Sequence, residues 1–591
     1  MSRLPAPDVA WQLTGNHWLA LPCIDPSDGS LRALGVLHRG ARAAVEVAGG
    51  PDFLRGEGAS LLRPILRLNG MEKPLGAVGL AWERAMEWIP TFTASVDSLL
   101  VRGTLFAPHG RDADVAGAVY ALAVDNRASA AAAVEVTFTG TLGHRQIRVR
   151  TPRAADDAHG VSAMPDGVVL LEGAALPGLT AVAIAAGGEA EVEATNGTFT
   201  IRQRMTVPPG GRAHAAVYLA VGPERDGACA TVAVMRRRGW SELLAATRDA
   251  LRSLEQTVGH EGIDRLVNSN LLFAYFYGVG RAIDDGHLYL MRTRAPWNGR
   301  GVTVRDWEAL SWTLPAVQLA DGPLARELLL RACEVLGYVP GEGLHYFDGT
   351  MFEPGFTLEG LAAYALATDR YIRATNDDQI VEEPILAETL YVSSEDLAAR
   401  RDADVPLYST EILPSGATAP LPYTLHGNAV VAQMLDVLRR TLDEETANRL
   451  EEPDAVRAAL MRHFVMDKGG KPALASAIDL DGHTADGDDP IASAYWLPLY
   501  DAFQRDDSLY RRTVRGVAAS PVELAHQCAR LMGPEASDVL QWLRRAPLDH
   551  GLAAEIVDAD GRAVANGGDA SLSGLLAWSV WYAVHALGVR P

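Results

Sequence analysis

Cysteine is scarce in this chain: Cys23, Cys229, Cys333 and Cys528 are the only four among 591 residues. No two of them fall at metal-ligand or redox spacing, so neither a zinc site nor a disulfide framework is offered, and free thiols in a reducing compartment are expected. No secretory leader is expected either. The opening MSRLPAPDVAWQLTGNHWLALP has no basic start and no unbroken apolar core, and no apolar run elsewhere is long enough to span a bilayer. A cytoplasmic location is the expectation. Positive charge is in deficit, because 53 Lys and Arg against 74 Asp and Glu leave a formal charge of -21. That balance opposes nucleic-acid and anionic-membrane partners and suits a neutral substrate.

What is present is apolar material, 48% of residues, enough for large cores in at least two domains. Up to about residue 235, β-branched runs such as "GAVYALAVDN", "AAVEVTFTG", "FTIRQRMTV" and "AHAAVYLAVG" are divided by Gly, Pro, Asp and Asn clusters. With no helices between them they predict an antiparallel β-sandwich over residues 1–235. This half shows no catalytic constellation. The pattern changes at 236–240. In 236–260, "SELLAATRDALRSLEQTV" places apolar residues at three- and four-residue spacing behind a capping Ser241, which predicts a linking helix.

From 261 to 591 the periodicity is mostly helical, in runs such as "LEGLAAYALATDRYIRATND", "GNAVVAQMLDVLRRTLD" and "SLSGLLAWSVWYAVHALG". Long Gly- and Pro-rich connections at 291–304 and 402–422 separate them, and loops of that length generally carry function. A solenoid, a bundle or a closed double ring of helices would each use such material. The lack of a fixed short-period repeat speaks against the solenoid. A double ring, whose alternate loops meet in a central bowl, is the architecture expected.

Three acidic positions lie on or beside these connections, each in aromatic company. In "RTRAPWNGRGVTVRDWEALSW", Arg305 and Asp306 precede Trp307 and Trp312, combining charged hydrogen-bonding groups with the apolar faces on which a sugar stacks. In "TMFEPGFTLEGLAAYAL", Glu353 and Glu359 flank a Pro-Gly-Phe break, although a carboxylate in a first helical turn is favoured by the macrodipole without any chemistry. In "GLAAEIVDADGRAVANGGDASLSGLLAWSVWYAVHALG", Glu555 lies on a strand-like piece before an Asp-Gly turn and the last aromatic helix.

The order of these pieces resembles the (α/α)6-barrel glycoside hydrolases, the group of glucoamylases, processing α-glucosidases and the amylo-α-1,6-glucosidase part of glycogen debranching enzymes. The resemblance covers roughly 261–591. It implies that "VRDWEALSW" holds the sugar in the cleaved subsite, that Glu359 is the general acid, and that Glu555 is the general base. Two departures affect the subfamily: the acid is Glu where debranching-type enzymes commonly have Asp, and the stretch before the last helices is replaced by "DPIASAYWLPLYDAF". An inverting pair needs one protonated and one ionised carboxyl, so Glu359 at a helix N-terminus requires burial beside Phe352 and Phe356, and the field of Glu353, to keep its proton.

Further substrate-binding candidates are Glu411 and His426 on the 402–422 connection and just beyond it, and Tyr495 and Trp496 in "AYWLPLY". The expected activity is inverting, exo-acting hydrolysis of neutral oligosaccharides by an α-glucosidase-like enzyme, with no cofactor and no metal. A glycoside phosphorylase on the same scaffold and a non-catalytic sugar-binding protein are the alternatives. The monosaccharide, its linkage and the oligomeric state are not legible in the sequence.

Overall fold

The structure, a computed structural model, describes residues 4–155, 159–173, 181–487, 489–516 and 523–590. Three antiparallel sheets occupy the N-terminal part. Strand Gly117–Asn126 pairs with Arg212–Gly222 on one side and Leu99–Phe106 on the other in an eight-stranded sheet. Strand Ala132–Thr141 lies between Thr198–Val207 and Arg63–Leu68 in a five-stranded one. These two sheets face each other: Tyr120 meets Phe138 edge-on with ring centres 5.5 Å apart, inside one apolar core. The alternating burial along Thr198–Val207 is what the period-two pattern predicts for a strand with one face on that core. A six-stranded sheet begins at Gln12–Gly15 and ends with His144–Arg148 and Pro152–Ala154.

Two helices, Arg225–Arg238 and Trp240–Leu254, follow the last strand, and a largely helical part begins at Glu261–Tyr277. Its last helix, Ala570–His585, packs against that first one, so the two ends of this part meet. Leu358–Thr375 packs against Gly322–Leu336, Pro384–Ala399 and Leu425–Thr441. Residues 358–368, 425–435 and 570–580 are buried on every side, whereas Pro384–Ala399 and Pro453–His463 bury one face only. Helices apolar all round belong inside and amphipathic ones outside. No described helix is long and apolar enough to cross a membrane.

Sheets and helices are joined by polar backbone contacts as well as by a shared core. The Arg294 guanidinium donates to the carbonyls of Asn16, His17 and Phe276, Tyr277 donates its hydroxyl to the Thr14 carbonyl, and Trp88 stacks on Phe276. The Val302 N–H donates to the Val149 carbonyl at 2.9 Å. Gly301, at φ 60°, allows this approach: a Cβ there would lie 1.8 Å from the Val149 oxygen. The sheet part thereby delivers Arg150 to the segment carrying Arg300 and Arg305.

Candidate active site

Glu359 is the second residue of helix Leu358–Thr375, and the capping role is filled by its neighbour, since the Thr357 hydroxyl accepts the Gly360 N–H at 2.9 Å. The Glu359 carboxyl is therefore released from the helix end. It is turned inward, 1% exposed. His426, likewise second in helix Leu425–Thr441, brings its Nδ1 to 2.9 Å from Glu359 Oε1. The His426 ring meets Trp307 and Tyr500 edge-on, at 5.9 and 5.4 Å between ring centres. Glu359 Oε2, His426 Nε2 and Trp307 Nε1 have no hydrogen-bond partner among the described residues.

The surroundings of Glu359 differ from the expectation. Phe352 lies under the Arg150 guanidinium and Phe356 under that of Arg400, while Glu353 is exposed and bonded to Arg150 at 2.8 Å. The reason is local: residues 351–356 form a strand irregularly paired with Glu342–Tyr346, along which Phe352 and Glu353 both meet Arg150 and Phe356 meets Arg400. Aromatic packing reaches this site through His426, whose ring meets Trp307 and Tyr500, and a second carboxyl, Asp489, lies within electrostatic reach of Glu359.

Asp306 and Arg305 do not pair with each other. Asp306 is 3% exposed, and its Oδ2 accepts the Gly341 N–H at 2.8 Å. Burial pushes its pKa up to about 7 against the pull of that N–H, the adjacent Tyr364 hydroxyl and the Arg305 charge. Tyr364 stands beside the carboxyl but outside hydrogen-bond geometry. Arg305 is 8% exposed, and its guanidinium makes no hydrogen bond or ion pair to a described residue; burial lowers its pKa. His345, opposite Val304 in the strand pair, is fully buried, and burial together with the Arg305 charge holds its pKa down to about 4.

Glu555 has the opposite electrostatics. Arg300 donates to both of its oxygens, from Nε at 3.1 Å and from a terminal nitrogen at 2.6 Å, and Asn566 Nδ2 donates at 2.6 Å. Burial would raise its pKa. The Arg300 charge and hydrogen bonds, the Arg292 charge and the Asn566 amide outweigh it, and the group is held below its ordinary value as a carboxylate. Arg292 itself bonds Glu308 and Asp569, lies 4.9 Å from the Trp312 ring centre, and so ties the 291–304 connection to Asp569, the cap of the last helix. Asn298 reinforces this junction by donating to the carbonyls of Asn566 and Gly567.

Glu555 thus touches the 300–308 segment at Arg300, and Glu359 reaches it through His426 at Trp307. The remaining sequence candidates lie elsewhere. Glu411 is exposed and paired with Arg400 at 2.8 Å. Tyr495 donates to the Val514 carbonyl and packs against His526, and Trp496 is buried in the same apolar core. Arg150, Arg292, Arg300, His345, Tyr364, Tyr500, Asp489 and Asn566 were not among the sequence candidates. Only Arg300 carried a local signal, a charge set between two glycines in "WNGRG". A cavity of about 400 Å³ reaches His426, with Thr424, Ser476 and Asp489 in its wall.

No protein-family model and no curated protein matches this sequence. Solved structures do. A bacterial glucoamylase complexed with acarbose matches with a TM-score of 0.62 over 100% of this chain and 95% of its own, at 9% identity. A putative kojibiose phosphorylase from the human microbiome matches with a TM-score of 0.61 over 98% and 87%, at 10% identity. Over its whole length this chain is therefore similar in fold to a glucoamylase and to a putative kojibiose phosphorylase, the kind of fold that the resemblance in its sequence implies.

Proposed function

We propose that the protein is an inverting, exo-acting α-glycoside hydrolase, with residues 261–591 as an (α/α)6-barrel catalytic domain, 1–235 as a sandwich domain and 236–260 as the linker. The observation that carries this reading is the contrast between two carboxyls flanking one segment. Glu555 is kept ionised by Arg300 and Asn566, while Glu359 is buried against His426 with one oxygen unpartnered. In the reaction Glu555 takes a proton from water as that oxygen bonds to the anomeric carbon. Glu359 gives its proton to the departing glycosidic oxygen as the carbon–oxygen bond breaks on the other face, and the product has inverted configuration. Such a pair works at roughly 6.5 to 9.5 Å, the room a water needs. Asp306, protonated near neutrality, is suited to donate to a sugar hydroxyl, and Trp307 offers an apolar face.

Phosphorolysis is the second reading, supported by the phosphorylase among the structural matches and by the arginines around Glu555. One experiment separates the two. Aryl α-glycosides and α-linked disaccharides are incubated with and without inorganic phosphate, and the first-formed anomer is read by NMR. Hydrolysis to the β-anomer without phosphate supports the proposal; an α-anomer product, or release only with phosphate, overturns it.

A further inference from the structure

The charges around Arg305 are paired off in a way that leaves it out. Those acting on it belong to Glu308, Arg150, Glu353 and Arg300. Glu308 is bonded to Arg292, Glu353 to Arg150 at 2.8 Å, and Glu555 to Arg300 at 2.6 Å. Asp306, next in sequence, turns its carboxyl to the Gly341 N–H. Arg292 by contrast holds two carboxylates, Glu308 and Asp569. An arginine nine-tenths buried whose guanidinium makes no ion pair is costly, and such a group is normally compensated by a carboxylate or phosphate in bidentate contact. Its nitrogens, unlike Glu359 Oε2, are not sealed from solvent. The neighbouring groups are themselves donors or cations: Arg150 from the sheet part, Arg300, and the neutral His345 imidazole. A neutral sugar hydroxyl, which needs an acceptor for its own proton, finds few acceptors left here.

From this arrangement we infer that Arg305, supported by Arg150, is the receptor for a single oxyanion: the carboxylate of an acidic sugar, or inorganic phosphate delivered to the cleaved bond. This deepens the sugar-cleaving reading, narrows it away from wholly neutral substrates, and rests on that reading for the word substrate. Whole-chain charge is no obstacle. The receptor is a local positive spot in an acidic protein, and the low-dielectric wall strengthens its field.

The test is binding by calorimetry on the full-length protein, with D-glucuronate, D-glucose and inorganic phosphate, repeated on Arg305→Met, Arg305→Lys and Arg150→Met. The inference expects glucuronate or phosphate to bind at least about tenfold more tightly than glucose. That preference should vanish in Arg305→Met, weaken in Arg150→Met, and survive in part in Arg305→Lys, whose retained charge also controls for folding. Preference for glucuronate identifies an acidic sugar; preference for phosphate identifies phosphorolysis. Equal binding of glucose and glucuronate with no phosphate binding overturns the inference, as does an anion preference unchanged in Arg305→Met. Failure here is separable from failure of the catalytic reading, which is scored by turnover of aryl glucosides and aryl glucuronides, with and without phosphate, by the same preparation.

Discussion

His426 Nδ1 lies 2.9 Å from Glu359 Oε1, and both residues are the second of their helices. Two helix starts, 67 residues apart, are thereby locked together by one buried polar contact. In the proposed mechanism His426 would act on the acid as a positioning residue. His426→Ala should lower kcat about tenfold or more with KM little changed, since what is lost is the orientation of a proton donor. It should also cost about 1–3 kcal/mol of stability, read by urea denaturation, because a buried carboxyl loses its partner. His426→Asn, which keeps a donor near the same place, should recover part of both losses; no recovery would reduce His426 to packing.

Acid and base should separate by leaving group. Glu359→Gln should cripple substrates with a sugar leaving group while sparing a glycosyl fluoride or dinitrophenyl glycoside, which departs with little protonation. Glu555→Gln should be poor on both, because water activation is needed whatever leaves. Azide should rescue Glu555→Ala, giving a glycosyl azide of inverted configuration. Rescue of the Glu359 variant instead would exchange the two roles.

Arg300→Met should move the acidic limb of the pH–rate profile to higher pH. Arg300 depresses the Glu555 pKa, the base works only when ionised, and without the guanidinium a higher pH is needed to ionise it. The same depression stabilises the fold above the unfolded glutamate value of about 4.3, and this contribution is lost as pH falls through the lower folded value. In Arg300→Met that acid-side loss should shrink. An acidic limb that stays in place would mean that it reports another group.

Asp306 gives a pH dependence of opposite sign. Its pKa is raised to about 7, so between about 4 and 7 the folded protein holds a proton that the unfolded chain has released. Stability from this residue is therefore lost as pH rises through that window, at up to about 1.4 kcal/mol per unit, and the loss levels off above it. Asp306→Asn, which cannot ionise, should lose less stability than wild type between pH 4 and 7. Activity of this variant should still fall about tenfold or more, through lost contacts to the sugar ring. Parallel stability curves would refute the buried, protonated Asp306.

Much of the fold is legible along the chain because it is written in local periodicity. Alternation marks Thr198–Val207 as a strand with one face on a core, and the largely apolar run of Ala570–His585 marks a helix, buried on every side over residues 570–580. The order of the pieces, with "VRDW", then Glu359, then Glu555, carried the resemblance that whole-chain structural matches support at the level of fold. Site residues are legible as residue types at loop positions, but their partners are not. Nothing in "TMFEPGFTLEG" says that Glu353 would reach an arginine from the sheet part, or that Glu359 would meet a histidine whose ring packs against Trp307 and Tyr500.

The sequence by itself determined which segments become strands and helices, the acidic surface, and which carboxyls stand at the ends of connections, because each of these depends on neighbours a few residues away. Only the tertiary structure decided which carboxyl is ionised. Glu555 is an anion because Arg300, 255 positions earlier, grips both of its oxygens; Asp306 keeps its proton to about pH 7 because the helical core closes over it; and Arg305 makes no ion pair because Glu308 and Glu353 are bonded to other arginines and Asp306 turns to the Gly341 N–H. A protonation state follows from burial and from charges a few ångströms away, and those distances do not exist until the chain has folded.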